Sequence, residues 1–213
     1  KITRYILPSP PQNPRVKVIP ENQRATIYWD KRAEASIDPI SAKKDFEGYR
    51  VYRTNSGFDL TESQDLNSAL VKMAEFDSLG NDVGYNTGFS FVELDEPVVF
   101  PNDTVKYYYK YEVENLLNGW QYLFSVTAFD EGDTENNLGS LESGKLSGIN
   151  RILPGTPAVE EDETEIGIYP NPYYGSAYWD GSSERLRKIY FFNLPANAEI
   201  TIYTLSGDIV DVI

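Results

Sequence analysis

Residues segregate by face with a period of two along several stretches of the chain, and a central one follows a turn at Asn118-Gly119. From Tyr122, the residues Tyr122, Phe124, Val126 and Ala128 fall on one face of a strand, and Leu123, Ser125, Thr127 and Phe129 on the other. Val105, Tyr107, Tyr109, Tyr111 and Val113 likewise alternate with Lys106, Tyr108, Lys110, Glu112 and Glu114, which predicts a half-buried strand. Upstream, Ala25, Ile27 and Trp29 share one face of a predicted strand, with Trp29 in the core, and Phe46 to Arg53 reads as another with Tyr49 and Val51 inward. Val16 and Val18 open an earlier strand, Ile149 to Leu153 a later one, and 30–45 is polar loop.

The span 54–103 is long for a connection and reads as a decorated insertion. Thr61-Glu62-Ser63-Gln64 has the form of a capping box, and Leu66, Leu70 and Met73 have helical spacing, so a short helix is expected near 62–70. Lys72 to Phe76 and Phe89 to Leu94 are read as strands, with Gly80, Gly84 and Gly88 breaking the chain between them. Four prolines at 8, 10, 11 and 14 make residues 1–14 an extended linker. A first domain then covers 15–155. Residues 156–165, with the like-charge run Glu160 to Glu165, form an acidic linker, and 166–213 a second unit. That unit ends in a hairpin turning at Ser206-Gly207-Asp208. Its predicted strands leave apolar faces and edges open, so the natural chain is expected to continue past Ile213.

Composition fits this pattern: 14% aromatics, 16 of them Tyr, with 15 Gly and 13 Pro, favour short strands and turns, so the fold class is all-β. The net charge of −14 opposes phosphate backbones and anionic membranes, so nucleic acid is not an expected partner. No window is apolar enough for a membrane helix, and no membrane insertion is expected. Without Cys there is no thiolate site or disulfide, and without His the usual general base is missing. No cofactor and no enzymatic activity are expected.

Leu116, Gly119 and Tyr122 have the spacing of a tyrosine corner, in which a tyrosine opening a strand bonds back to the upstream backbone. With Trp29 and the strand from Phe46 to Arg53, residues 11–155 resemble a fibronectin type III domain, which implies an immunoglobulin-like sandwich. Further on, Tyr169-Pro170-Asn171-Pro172, then Phe191-Phe192-Asn193-Leu194-Pro195, then Ile202-Tyr203-Thr204-Leu205-Ser206-Gly207-Asp208 resemble the start of a C-terminal sorting domain of bacterial type IX secretion cargo. That resemblance implies a second, partial immunoglobulin-like β-sandwich and an extracellular or outer-cell-surface location. The partners it implies are the secretion machinery or cell-surface proteins.

Four chemical readings compete with a purely structural one. Asp130, Asp133 and Glu135, with Asn136 and Asn137, offer oxygen ligands of the kind calcium prefers, although not at EF-hand spacing, and solvated acidic turns explain them equally. Tyr108 and its neighbours, with Tyr173-Tyr174, are candidates for stacking glycans. A calcium-assisted adhesion or carbohydrate-binding module is therefore the alternative to a spacer and sorting region. A glycosidase would need two carboxylates flanking a cleft, and no pair among the 33 acids stands out. Asp77-Ser78-Leu79 and Asp103-Thr104-Val105 resemble acceptor sites for O-glycosylation in bacteria with type IX secretion.

Overall fold

The computed structural model describes residues 7–40, 42–54, 65–133, 138–155, 166–169, 189–194, 198–204 and 206–213. The chain divides into two compact units, Lys1–Pro154 and Gly155–Ile213.

The first unit is an all-β sandwich. Its strands are β1 (Val16–Glu21), β2 (Arg24–Trp29), β3 (Phe46–Arg53), β4 (Val71–Asp77), β5 (Glu93–Val98), β6 (Tyr107–Val113), β7 (Tyr122–Asp130) and β8 (Asn150–Ile152). They form two antiparallel four-stranded sheets, ordered β1-β2-β6-β5 and β4-β3-β7-β8. Alternation decides the inner faces. Ala25, Ile27 and Trp29 of β2 and Tyr49 and Val51 of β3 are fully buried, and they join Phe124, Val126 and Ala128 in one core. The Trp29 ring stacks on Tyr109 at 5.4 Å and meets Tyr49 edge-on at 5.8 Å, so aromatic faces bridge the two sheets. Glu34, in a 3-10 turn over Arg32–Ala35 within the polar loop, closes this cluster. Its Oε1 accepts the Tyr109 hydroxyl at 2.7 Å and the Tyr49 hydroxyl at 3.2 Å. Burial, reinforced by the Glu34 carboxylate, pushes both phenols above their usual range, so each remains a donor.

The tyrosine-corner bond is present, since the Tyr122 hydroxyl accepts the Leu117 N–H at 3.0 Å and ties the turn to the head of β7. Strand β7 is buried on both faces, more than a half-exposed sheet requires. Its outer face is roofed by residues 141–148. The Ser125 hydroxyl donates to the Lys145 carbonyl at 2.5 Å, and Thr127 donates to Glu142 Oε1 at 2.7 Å. Glu142 also accepts Tyr52 at 2.6 Å and the Arg50 guanidinium at 2.7 Å, while Arg50 lies 3.8 Å from the Phe129 ring centroid. Burial pushes the Glu142 carboxyl up, but the bonds from Thr127, Tyr52 and Arg50 outweigh it and hold the carboxyl below its ordinary range.

Three expectations within 54–103 change. The described part of this span supplies β4 and β5, one edge strand to each sheet, so it is built into the sandwich and does not merely decorate it. The helix, α1, is a single turn over Leu66–Ala69. It is capped by Asp65, whose side chain accepts the Asn67 N–H, while Met73 lies in β4 and the 61–64 pattern falls outside the described residues. Phe89 to Val92 is a turn instead of a strand, with the Val92 and Glu93 N–H groups bonded to the Phe89 carbonyl at 3.0 and 2.8 Å, and β5 begins at Glu93.

In the second unit, β9 (Gly167–Tyr169) pairs with β10 (Tyr190–Phe192), and β11 (Thr201–Tyr203) with β12 (Ile209–Val212). The second pair closes through Gly207, whose φ of 92° favours glycine, and whose N–H bonds the Thr204 carbonyl at 3.0 Å. Ile209, Val210 and Val212 are exposed.

Candidate functional site

The feature of the first unit that meets solvent with a built geometry is the loop from Ser78 to Val92, between β4 and β5. Its anchor is Asp77, the last residue of β4, which is fully buried. Both carboxylate oxygens are used. Oδ1 accepts the Thr87 N–H at 2.5 Å and the Thr87 hydroxyl at 2.8 Å, and Oδ2 accepts the N–H groups of Tyr85 and Asn86, the latter at 3.2 Å. Burial pushes this carboxyl up, but the bonds from Thr87, Tyr85 and Asn86 prevail, and it titrates below the usual carboxylate range. Gly84 sits so close that any Cβ there would run into the Asp77 carboxylate, and its φ of 69° favours glycine as well.

A second layer holds the tip. Asn86 Oδ1 accepts the Gly80 and Asn81 N–H groups at 2.7 and 3.2 Å, while its own amide donates to the Asn81 carbonyl at 2.8 Å. Asn81 in turn donates to Glu47 Oε2 at 2.7 Å. Glu47 is 2% exposed, its Oε1 has no hydrogen-bond partner among the described residues, and burial together with the charges of Asp77 and Glu131 raises it against the opposing bond from Asn81. The loop also finishes the sheet, because the Thr87 hydroxyl accepts the Asp77 N–H at 3.0 Å and Gly88 N–H bonds the Asp77 carbonyl at 2.9 Å. These bonds occupy the outward edge of the end of β4, where another strand would otherwise pair. Across the sandwich, β5 carries Asp95, Glu96 and Pro97, which discourage pairing on that edge.

What the locked loop displays is apolar. Leu79, Tyr85 and Phe91 are 72%, 70% and 86% exposed; the Tyr85 N–H is held by Asp77, Leu79 lies between the bonded amides of Ser78 and Gly80, and Phe91 lies within the turn closed on the Phe89 carbonyl. Leu79 lies against the Cα of Gly88, where a Cβ would come within 3.3 Å of its Cδ1, so its side chain reaches the middle of the loop. The Lys72 ammonium stands 5.4 Å from the centroid of Tyr85. Phe89 and Val92 turn inward to the core, which leaves Phe91 on the outside.

Of the candidates named from sequence, Asp77-Ser78-Leu79 opens this loop and the other described ones lie elsewhere. Asp130 ends β7 and is nearly buried, its Oδ1 accepting the N–H groups of Gly132 at 3.0 Å and Leu141 at 2.7 Å. Burial raises it, the bonds from Leu141 and Gly132 oppose the rise, and the charges of Asp38 and Glu131 add to it. Asp133 bridges Leu138 through its backbone at 2.9 and 2.8 Å, and Glu135 lies outside the described residues. Among the described residues no three His, Cys, Asp or Glu side chains come together as a metal set. Tyr108 is half-buried with the Lys31 ammonium 5.1 Å from its ring centroid, and Tyr173-Tyr174 lie outside the described residues. Ser78 donates its hydroxyl to the Glu47 carbonyl at 3.1 Å and is half-buried, whereas Thr104 is exposed.

The loop itself was open to sequence reasoning. Glycines at 80, 84 and 88 interleaved with Asn81 and Asn86, directly after an Asp, are the residues that supply left-handed turns and Asx bonds. These features define a β-sandwich with one hydrogen-bonded loop that exposes Leu79, Tyr85 and Phe91. No protein-family model, no curated protein and no solved structure matches the chain. No helix among the described residues is long and apolar enough to cross a membrane.

Proposed function

We propose that the chain is a non-enzymatic region of a secreted or surface-attached bacterial protein, with the first unit as spacer and presentation module and the second as secretion-sorting module. The observation that carries the first half is how the sandwich uses its polar groups. Glu34, Glu142 and Tyr122 are committed to fixing rings, roof and turn, while one hydrogen-bonded loop exposes Leu79, Tyr85 and Phe91, each to 70% or more. That is the arrangement of a scaffold that works by contact. The strand order supports the fibronectin-like reading. Taking β1 to β8 as A, B, C, C′, D, E, F and G gives A-B-E-D opposite C′-C-F-G, the immunoglobulin-like arrangement.

The sorting half rests on the resemblance of 166–213, with the hairpin β11–β12 falling on the Ile202 to Asp208 motif. A periplasmic reporter fused to the natural chain from residue 156 onward, expressed in a bacterium with type IX secretion, tests it. Export of the reporter to the cell surface is expected, with the same reporter fused to 1–155 retained. Equal retention of both fusions contradicts the sorting role.

A further inference from the structure

We infer that the loop 78–92 docks a cationic protein segment, with Leu79, Tyr85 and Phe91 inserting into apolar recesses of a partner rimmed by Lys and Arg. The apolar half of the argument is the combination of exposure and rigidity. Large apolar side chains held in fixed backbone lose little freedom on binding, which removes one of the main costs of association. Aromatic anchors of this kind carry most of an interface's energy.

The electrostatic half is the chain around them. From Ser78 to Val105 there is no Lys or Arg, while Asp82, Glu93, Asp95, Glu96 and Asp103 are acidic. Glu93 pairs with Lys31 at 2.7 Å and Asp103 with Lys17 at 3.8 Å. Asp82, Asp95 and Glu96 are exposed and make no ion pair among the described residues. An exposed carboxylate within the loop, Asp82, and a flanking stretch without Lys or Arg select a partner of opposite sign and repel anionic ones, in a chain whose net charge is −14. Lys72, paired with Glu75 at 2.6 Å, stands 5.4 Å from the centroid of the Tyr85 ring, a contact of the kind a cationic partner would make with it. This inference rests on the first unit being a contact module and is independent of the sorting role of the second.

The test uses the whole chain and three labelled peptides, one of Lys and Leu, one of Lys and Ser, and one of Glu and Leu, followed by fluorescence anisotropy. The Lys/Leu peptide is expected to bind best and to weaken with salt. Replacing Phe91, Tyr85 and Leu79 together by Ser is expected to weaken it about tenfold or more, with the melting temperature unchanged because all three are exposed. Asp77→Asn, which loosens the loop while keeping its apolar residues, is expected to weaken it as well. If Lys/Ser binds as tightly as Lys/Leu, or the triple substitution changes nothing, charge alone is responsible and the docking site is refuted. Loop-dependent binding of Glu/Leu at equal strength refutes the cationic partner while leaving a contact loop. If no peptide binds, the inference fails.

Discussion

Two loops in the first unit begin with the same device. Each follows a long strand of the same sheet, and in each the strand's last residue is a buried Asp whose side chain accepts backbone N–H groups from the loop beyond. They differ in how the carboxylate is used. Asp77 spends both oxygens on four donors and titrates low. Asp130 places its bonds within the described residues on Oδ1 alone, stands near Asp38 and Glu131, and titrates high. In one loop the bonds to the carboxylate outweigh its burial, whereas in the other burial and neighbouring acids outweigh them. An acid-rich composition is therefore a poor guide to where a chain has built something.

The sharpest way to break this comparison is a matched pair of amide substitutions. Asp77→Asn must turn an NH2 group toward donors, whichever way its amide faces, and is expected to cost about 3 kcal/mol in urea unfolding. Asp130→Asn keeps an oxygen for Gly132 and Leu141 and sheds a like charge, so a change within about 0.5 kcal/mol is expected. Equal losses would mean that the two carboxylates do the same job. Gly84→Ala strikes the same anchor from the loop side, with a Cβ against Asp77 and a φ of 69°, and about 2 kcal/mol should be lost in the same assay. Tyr122→Phe gives a reference away from both loops. It removes the acceptor of the Leu117 N–H and should cost about 1 kcal/mol.

The pH dependence separates the loops further. A carboxyl that titrates below its unfolded value stabilises the fold above the ordinary carboxylate range and loses that contribution as pH falls through its folded value, which applies to Asp77 and Glu142. A raised carboxyl such as Asp130 or Glu47 does the reverse, since its cost at neutral pH is relieved on acidification. Acid unfolding should therefore be blunted in Glu142→Gln. In Asp130→Asn the stability at neutral pH should rise relative to that at pH about 4, the ordinary carboxylate value.

Much of the sandwich was legible because it depends on local alternation. Ala25, Ile27 and Trp29, Tyr49 and Val51, and the inward face of β7 need no knowledge of their partners to be placed. Leu116, Gly119 and Tyr122 point to a bond that closes within a few residues. The contact loop depends instead on residues separated along the chain, since Asp77 reaches Tyr85, Asn86 and Thr87, and Asn81 reaches Glu47. Phe89-Ser90-Phe91-Val92 has the composition of a strand, but Gly88 and the turn at Phe89 send Phe89 and Val92 inward together and Phe91 out. The outer cover of β7 was hidden for a similar reason, because Arg50, Glu75 and Glu142 meet only once the sheet has formed.

Native-state hydrogen exchange on the whole chain, read at the amides of Tyr85, Asn86 and Thr87, tests the central claim most directly. All three lie on a solvent-facing loop, yet they donate to a buried carboxylate. They are expected to exchange as slowly as the paired amides of β4, and to speed up together in Asp77→Asn. Exchange of these amides at the rate of an open chain in the unaltered protein would mean that the loop is not held by Asp77, and its apolar side chains would not be preorganised.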